Sequence, residues 1–151
     1  MKLRLIPICL LLLSVLSFDL SAQDDDIYES GTVWNVTMVR IDANMEDKYL
    51  KNLSNTWKMT MDEAKKQGLI LDYKVLLGSA SNGDDFNLML MVENKNMAAY
   101  DPNPEREAKW DAIQEAMIAK VTQEGFDETL QLYTNIRELL GSKLMREITL
   151  N

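Results

Sequence analysis

The chain of 151 residues contains no histidine and a single cysteine, Cys9. Without histidine it lacks the commonest metal ligand, the commonest general base and the side chain whose unperturbed charge changes near neutral pH. Ser-His-Asp triads, Cys-His nucleophilic pairs, histidine-ligated haem and zinc sites built on His or Cys are excluded together. Glycine is sparse, and neither a phosphate-cradling glycine loop nor a dinucleotide fingerprint occurs. One long apolar run is present, Leu5 to Leu16, and it is shorter than the roughly 20 residues a membrane-spanning helix needs.

That run follows Lys2 and Arg4 and leads into Ser17, Ser21 and Ala22, the layout of a secretory signal peptide over residues 1 to 22. Export to a periplasm or the extracellular space is the expectation, with no stable membrane insertion after cleavage. Cys9 would leave with the leader, so packing alone would hold the mature domain together. Cleavage after Ala22 would leave 14 basic and 23 acidic side chains, a formal charge of -9. Such a field disfavours nucleic acid as a partner. Residues 23 to 30, QDDDIYES, read as a flexible acidic tail, and residues 31 to 151 as one domain.

Within that domain residues 33 to 41, VWNVTMVRI, have strand composition. DANMEDKYL then opens a helix, with Asn44 as its cap and Gly68 as its stop. Met45, Tyr49, Leu50, Leu53, Trp57, Met61 and Ala64 follow helical spacing along it. Residues 69 to 78 and 86 to 92 alternate as two strands around the Asn82-Gly83 turn signal, an antiparallel hairpin. Pro104 suits the first turn of a second helix carrying Trp110, Ile113, Met117 and Val121. Gly125 should break it, a third helix should run over 126 to 140 to a stop at Gly141, and residues 143 to 150 should return as a fourth strand.

The order strand, helix, strand, strand, helical region, strand is that of an α+β, ferredoxin-like fold: a four-stranded antiparallel sheet with helices on one face. The alternation sends Leu71, Tyr73, Val75, Phe86, Leu88, Leu90 and Val92 toward the helices, with Trp34, Val36 and Met38 assigned beside them. The open face then receives Val33, Asn35, Thr37, Val39, Asp72, Lys74, Asn87, Met89 and Met91, joined by Met145, Glu147 and Thr149. This mixture is too apolar for water alone, so a homodimer is expected to cover it.

In element order and patterning over about residues 31 to 150 the chain resembles the dimeric α+β barrel superfamily, whose members pack two such sheets face to face and often enclose a cavity. Within it the chain is most similar to the antibiotic-biosynthesis and haem-degrading monooxygenase-like domains. That resemblance implies a strand-one asparagine, matched by Asn35, and a helix-borne tryptophan, matched by Trp110, as candidate catalytic residues. Haem degradation does not carry over, because those members supply a histidine ligand absent here.

Two function classes follow. One is a non-catalytic exported homodimer binding a small apolar or amphipathic molecule through Asn35, Thr37, Asp72, Lys74, Asn87, Met89 and Met91. The other is a cofactor-independent monooxygenase-like enzyme acting on a small aromatic or quinol-type substrate through Asn35 and Trp110. No cofactor and no metal is expected. Met89 and Met91 could join Met38 or Met145 around copper(I) by softness, but Met38 is assigned to the helix side and no histidine or cysteine stands nearby, so thioethers lining an interface or adaptable pocket fit better. Glu107, Asp111 and Glu115 recur at i,i+4 on a helix, where like charges repel, and read as a solvated face.

Overall fold

A computed structural model describes residues 27–151; the expected leader over 1 to 22 and the first residues of the acidic tail lie outside them. The order is β1 (Tyr28–Ile41), α1 (Glu46–Leu53), a π-helical turn (Ser54–Lys58), α2 (Met59–Lys66), β2 (Asp72–Leu77), β3 (Leu88–Asn94), a 3-10 turn (Met97–Tyr100), α3 (Pro104–Val121), α4 (Gln123–Ile136) and β4 (Arg137–Leu150). All strand pairs are antiparallel and the sheet order is β2-β3-β1-β4. This is the α+β, ferredoxin-like arrangement that the alternation of elements implies.

Local chemistry accounts for most boundaries. Asn103 accepts a hydrogen bond from the Arg106 backbone N–H at 2.9 Å and caps α3, with Pro104 in its first turn. Gly68, at φ 71°, ends α2 in the left-handed conformation that glycine adopts without strain. Asn44 does not cap the first helix as expected. It sits at φ 65°, and Met45 occupies the cap position without a side-chain bond. The break between α3 and α4 falls at Thr122 rather than Gly125: its φ of 68° cannot continue a helix, and its hydroxyl accepts from the Gly125 N–H at 3.2 Å.

β1 and β4 are longer than their patterns imply because they pair with each other. Residues 28 to 30, expected in the acidic tail, are strand, with Tyr28 opposite Leu150 and Ser30 opposite Ile148. Gly31 and Thr32 then face Glu147, a bulge. A Cβ on Gly31 would meet the Glu147 carbonyl oxygen at 3.1 Å, so glycine suits that close approach.

α4 stops at Ile136 rather than at 140, where the Ile136 carbonyl accepts the Asp42 N–H at 2.9 Å. Gly141, expected to end that helix, lies within β4 at φ 150°, next to the register shift that places Leu139 opposite Val39 and Gly141 opposite Met38. A methyl group there would meet only the Met38 Cε at 3.7 Å, so the cost of Gly141→Ala is backbone strain alone. The variant is expected to lose about 1–3 kcal/mol of unfolding free energy, read from urea denaturation.

The core lies between sheet and helices. Val39, Ile41, Leu88 and Leu90 pack on Tyr49, Leu53, Tyr133 and Ile136; a second group joins Met61, Ala64, Ile70 and Ile113, with Trp57, Tyr73, Val92 and Trp110 packed against it. Tyr49 and Tyr133 lie with ring centroids 5.0 Å apart, and the Arg137 guanidinium sits 4.2 Å from the Tyr133 centroid while donating to the Tyr49 hydroxyl at 2.8 Å.

Candidate functional site

Strand register determines which side chains share a face, since directly opposed residues of neighbouring strands point the same way. Val39 is opposite Leu88, Thr37 opposite Leu90 and Asn35 opposite Val92; Tyr73 and Val75 continue those rows on β2. Leu88, Leu90 and Val92 belong to the helix-side core, as expected. Val33, Asn35, Thr37 and Val39 therefore also face the helices, and the expectation that they lie on the open face is overturned. Trp34, Val36 and Met38 correspondingly leave the helix side for the open face. The alternation of β1 was correctly periodic but carried no sign: both of its faces are largely apolar, and only pairing to β3 sets the phase.

Asn35 and Trp110, the two catalytic candidates, thus come to the same side of the sheet. Val92, opposite Asn35, shares a packing cluster with Trp110. The Asn35 Oδ1 is buried and finds no hydrogen-bond donor. Nearby, Asn94 is buried and its Nδ2 donates to the Tyr100 hydroxyl at 2.8 Å. Burial pushes the Tyr100 phenol above its ordinary pKa, and the neighbouring Asn35 amide offsets part of that rise. Asn94 and Tyr100 carried no pattern in the sequence; the 3-10 turn, capped by Asn96 accepting from the Ala98 N–H at 3.1 Å, brings Tyr100 back over β3.

An unpartnered buried oxygen costs about 1–3 kcal/mol. Asn35→Leu, which removes that oxygen while roughly keeping volume, is therefore expected to leave stability unchanged or raise it by about 1 kcal/mol. A thermal melt reads this directly. A clear loss would mean that the amide serves packing rather than recognition.

Trp110 also borders a cavity of about 260 Å³ with Trp57, Thr60, Met117 and Phe126. Trp57 packs edge-on against Tyr73 at 5.3 Å between centroids. The Tyr73 hydroxyl donates to Asp62, which also pairs with Lys58 Nζ at 2.6 Å. These bonds, Lys58 first, hold the Asp62 carboxyl below its usual pKa, whereas desolvation and the Asp62 carboxylate raise the Tyr73 phenol.

On the open face stand Asp72, Lys74 and Leu76 of β2, Met89, Met91 and Glu93 of β3, Trp34, Val36 and Met38 of β1, and Lys143 and Met145 of β4. The Lys74 ammonium lies 4.6 Å from the Trp34 ring centroid, a cation–π contact. Trp34 Nε1 donates to Glu147 at 3.3 Å, and the Thr32 hydroxyl lies 2.7 Å from Glu93 Oε1 and 3.2 Å from Glu147 Oε2. Asp72 is drawn to the sheet edge by Lys65 at 2.7 Å. Asn87 is occupied in a structural role: its Oδ1 accepts from the Ile41 N–H at 2.8 Å and its Nδ2 donates to the Ile41 carbonyl at 3.0 Å. Of the seven side chains assigned to this face for ligand or dimer contact, Lys74, Met89 and Met91 stand on it, with Asp72 at its edge. Trp34 was missed because its β1 phase was inverted.

Among the described residues no three acidic side chains converge as a metal site, and no helix is long and apolar enough to cross a membrane. The fold and site define an α+β domain of ferredoxin-like topology with one uncovered sheet face. No family model and no curated protein matches the chain. Among solved structures it is similar to the crystal structure of HapK from Hahella chejuensis, with 14% sequence identity over 76% of this chain and 91% of that one, at a TM-score of 0.42. The assignment of fold rests on the sheet topology itself.

Proposed function

We propose that the protein is an exported homodimeric module that binds a small apolar or amphipathic molecule without transforming it. The observation that carries this reading is the open sheet face. Leu76 and Met145 on it are 47% and 54% exposed, and Trp34, Met38, Met89 and Met91 are half-buried around them. A face of this apolar character favours a cover. The face carries both signs of charge, Lys74 and Lys143 along with Glu93 and Glu147, so it offers a second copy opposite charges to pair with. The leader-like residues 1 to 22 support export. Native mass spectrometry of protein purified from its own source reads subunit number and retained small molecule together. A dimer carrying a bound apolar molecule is expected; a bare monomer at about 10 µM, well above the dissociation constant of a specific dimer, would sink the proposal.

A second reading, a cofactor-independent monooxygenase-like enzyme, is favoured by one observation: Asn35 and Trp110 share the helix side of the sheet and the Asn35 oxygen has no donor. Such an oxygen can accept a hydrogen bond from a phenol or quinol hydroxyl. Oxygen consumption with phenolic and quinol substrates should then fall at least about tenfold in Asn35→Ala, the order of effect expected for a lost substrate-orienting bond. Unchanged turnover would remove Asn35 from any mechanism.

A further inference from the structure

We infer that Met38, Met89 and Met91 form a binding site for a soft monovalent cation, copper(I) or its silver(I) analogue, on the open face of the sheet. The strand register provides the first argument. Met38 of β1 is directly opposite Met89 of β3, and Met91 follows on the same face of the same strand, opposite Val36. Cross-strand neighbours have Cβ atoms about 4.5–5.5 Å apart, and diagonal ones somewhat more, which the long methionine side chain spans. Three thioethers from two adjacent strands can thus converge above one point of the sheet. All three residues are half-buried, neither sealed in the core nor fully solvated.

The donor chemistry supplies the second argument. Thioethers are neutral soft ligands that select copper(I) over zinc or the harder divalent ions. Unlike thiolates they need no deprotonation, and they cannot be lost to disulfide formation in an oxidising compartment. The chain offers no histidine, and its one cysteine is Cys9, so methionine is the only soft donor of the domain. The Met38 methyl group leans toward β4, its Cε 3.7 Å from where a Cβ on Gly141 would stand. Turning it onto Met89 requires a rotamer change, which the unbranched side chain makes readily. Two cations share this face: Lys74 opposite Met91, its ammonium 4.6 Å from the Trp34 ring centroid, and Lys143 opposite Val36; Glu93 stands beyond Met91 on the same strand. The inference goes beyond the proposed ligand-binding module and does not depend on dimerisation, since all three donors come from one protomer.

The test uses the purified full domain with 13C-methyl methionine labelling and silver(I) titration, alongside copper(I) competition against bicinchoninate under ascorbate. The methyl signals of Met38, Met89 and Met91 are expected to shift together and saturate at one ion per chain, with those of Met97 and Met117 unmoved. Met89→Leu and Met91→Leu, which keep volume and apolar character, should each weaken binding at least about tenfold; Met97→Leu should not. Circular dichroism of each variant checks folding. Equal affinity in Met89→Leu, or a uniform response of all methionine methyls, overturns the site. Native mass spectrometry of the silver-loaded protein reports ion count and subunit number separately, so loss of the dimer reading leaves this result interpretable.

Discussion

Tyr49→Ala is expected to lower the unfolding free energy by about 3–5 kcal/mol, the range for removing a large buried ring. Tyr49 is fully buried, and its ring lies between the sheet residues Val39 and Leu88 and the helix residues Leu53 and Tyr133. Its hydroxyl accepts from Arg137, the first residue of β4, so one side chain ties α1 to the point where α4 becomes strand. Tyr49→Phe keeps the ring and removes only that acceptor, leaving Arg137 to its stacking on Tyr133; a smaller loss of about 1–2 kcal/mol is expected. Urea unfolding of both variants separates the two contributions.

The same pair gives a pH dependence with a definite sign. Burial raises the Tyr49 phenol above its ordinary pKa, with Arg137 offsetting part of the shift, and burial likewise raises Tyr133, with Thr56 offsetting part. A group whose folded pKa is raised contributes stability below its unfolded value and loses it as pH climbs through the folded value. Melting temperature should accordingly fall as pH rises past about 10, where phenols of the unfolded chain ionise. The fall should be shallower in Tyr49→Phe. At the acid end Asp62 has the opposite sign: its carboxyl is held low by Lys58 and Tyr73, so what it contributes is present above the ordinary carboxylate range and lost as pH falls through it.

The double variant Leu76→Lys, Met145→Lys is expected to abolish the proposed dimer while leaving the monomer folded. Both side chains are about half exposed in the single chain, so lysines there keep their charge in water and the fold is nearly indifferent. In a face-to-face dimer the same ammonium groups would be desolvated against an apolar surface, at a cost of several kcal/mol. The dissociation constant should rise about a hundredfold or more. Light scattering of parent and variant across concentration checks this. A variant that stays dimeric would place the interface elsewhere on the molecule.

Much of the architecture was legible because the relevant signals are local. The hairpin of β2 and β3 follows from alternation on either side of Asn82-Gly83, and Leu88, Leu90 and Val92 indeed face the helices. Pro104 and Gly68 punctuate helices through their own backbone preferences. Asn44, Gly125 and Gly141 misled because each residue type is compatible with several turns, and the neighbours decide which is used. Leu139 and Leu140 satisfied a helical period as well as a strand, and the pairing partner on β1 chose between them. The π-turn at Ser54–Lys58 left no trace in the spacing, since Tyr49, Leu53, Met61 and Ala64 remain on one buried side across it.

The candidate site was legible in kind but not in place. Asn35 and Trp110 are candidates by resemblance, and both lie on the helix side of the sheet. Asn94 and Tyr100 were not found, because their meeting depends on a 3-10 turn after β3.

The sequence by itself determined the element order, the exclusion of histidine and cysteine chemistry, the acidic character and the apolar alternation of each strand. These depend on residue identity and on spacing within one segment. Only the tertiary structure decided which way β1 faces, and with it whether Asn35 meets helices or solvent and whether Met38 joins Met89 and Met91. A strand apolar on both sides has two nearly equivalent phases, and a shift of one residue exchanges its faces. Pairing with β3 and β4 removes that degeneracy, since only one phase brings Val39 and Ile41 onto Tyr49 and Leu53 while leaving Trp34 to Lys74 and Glu147.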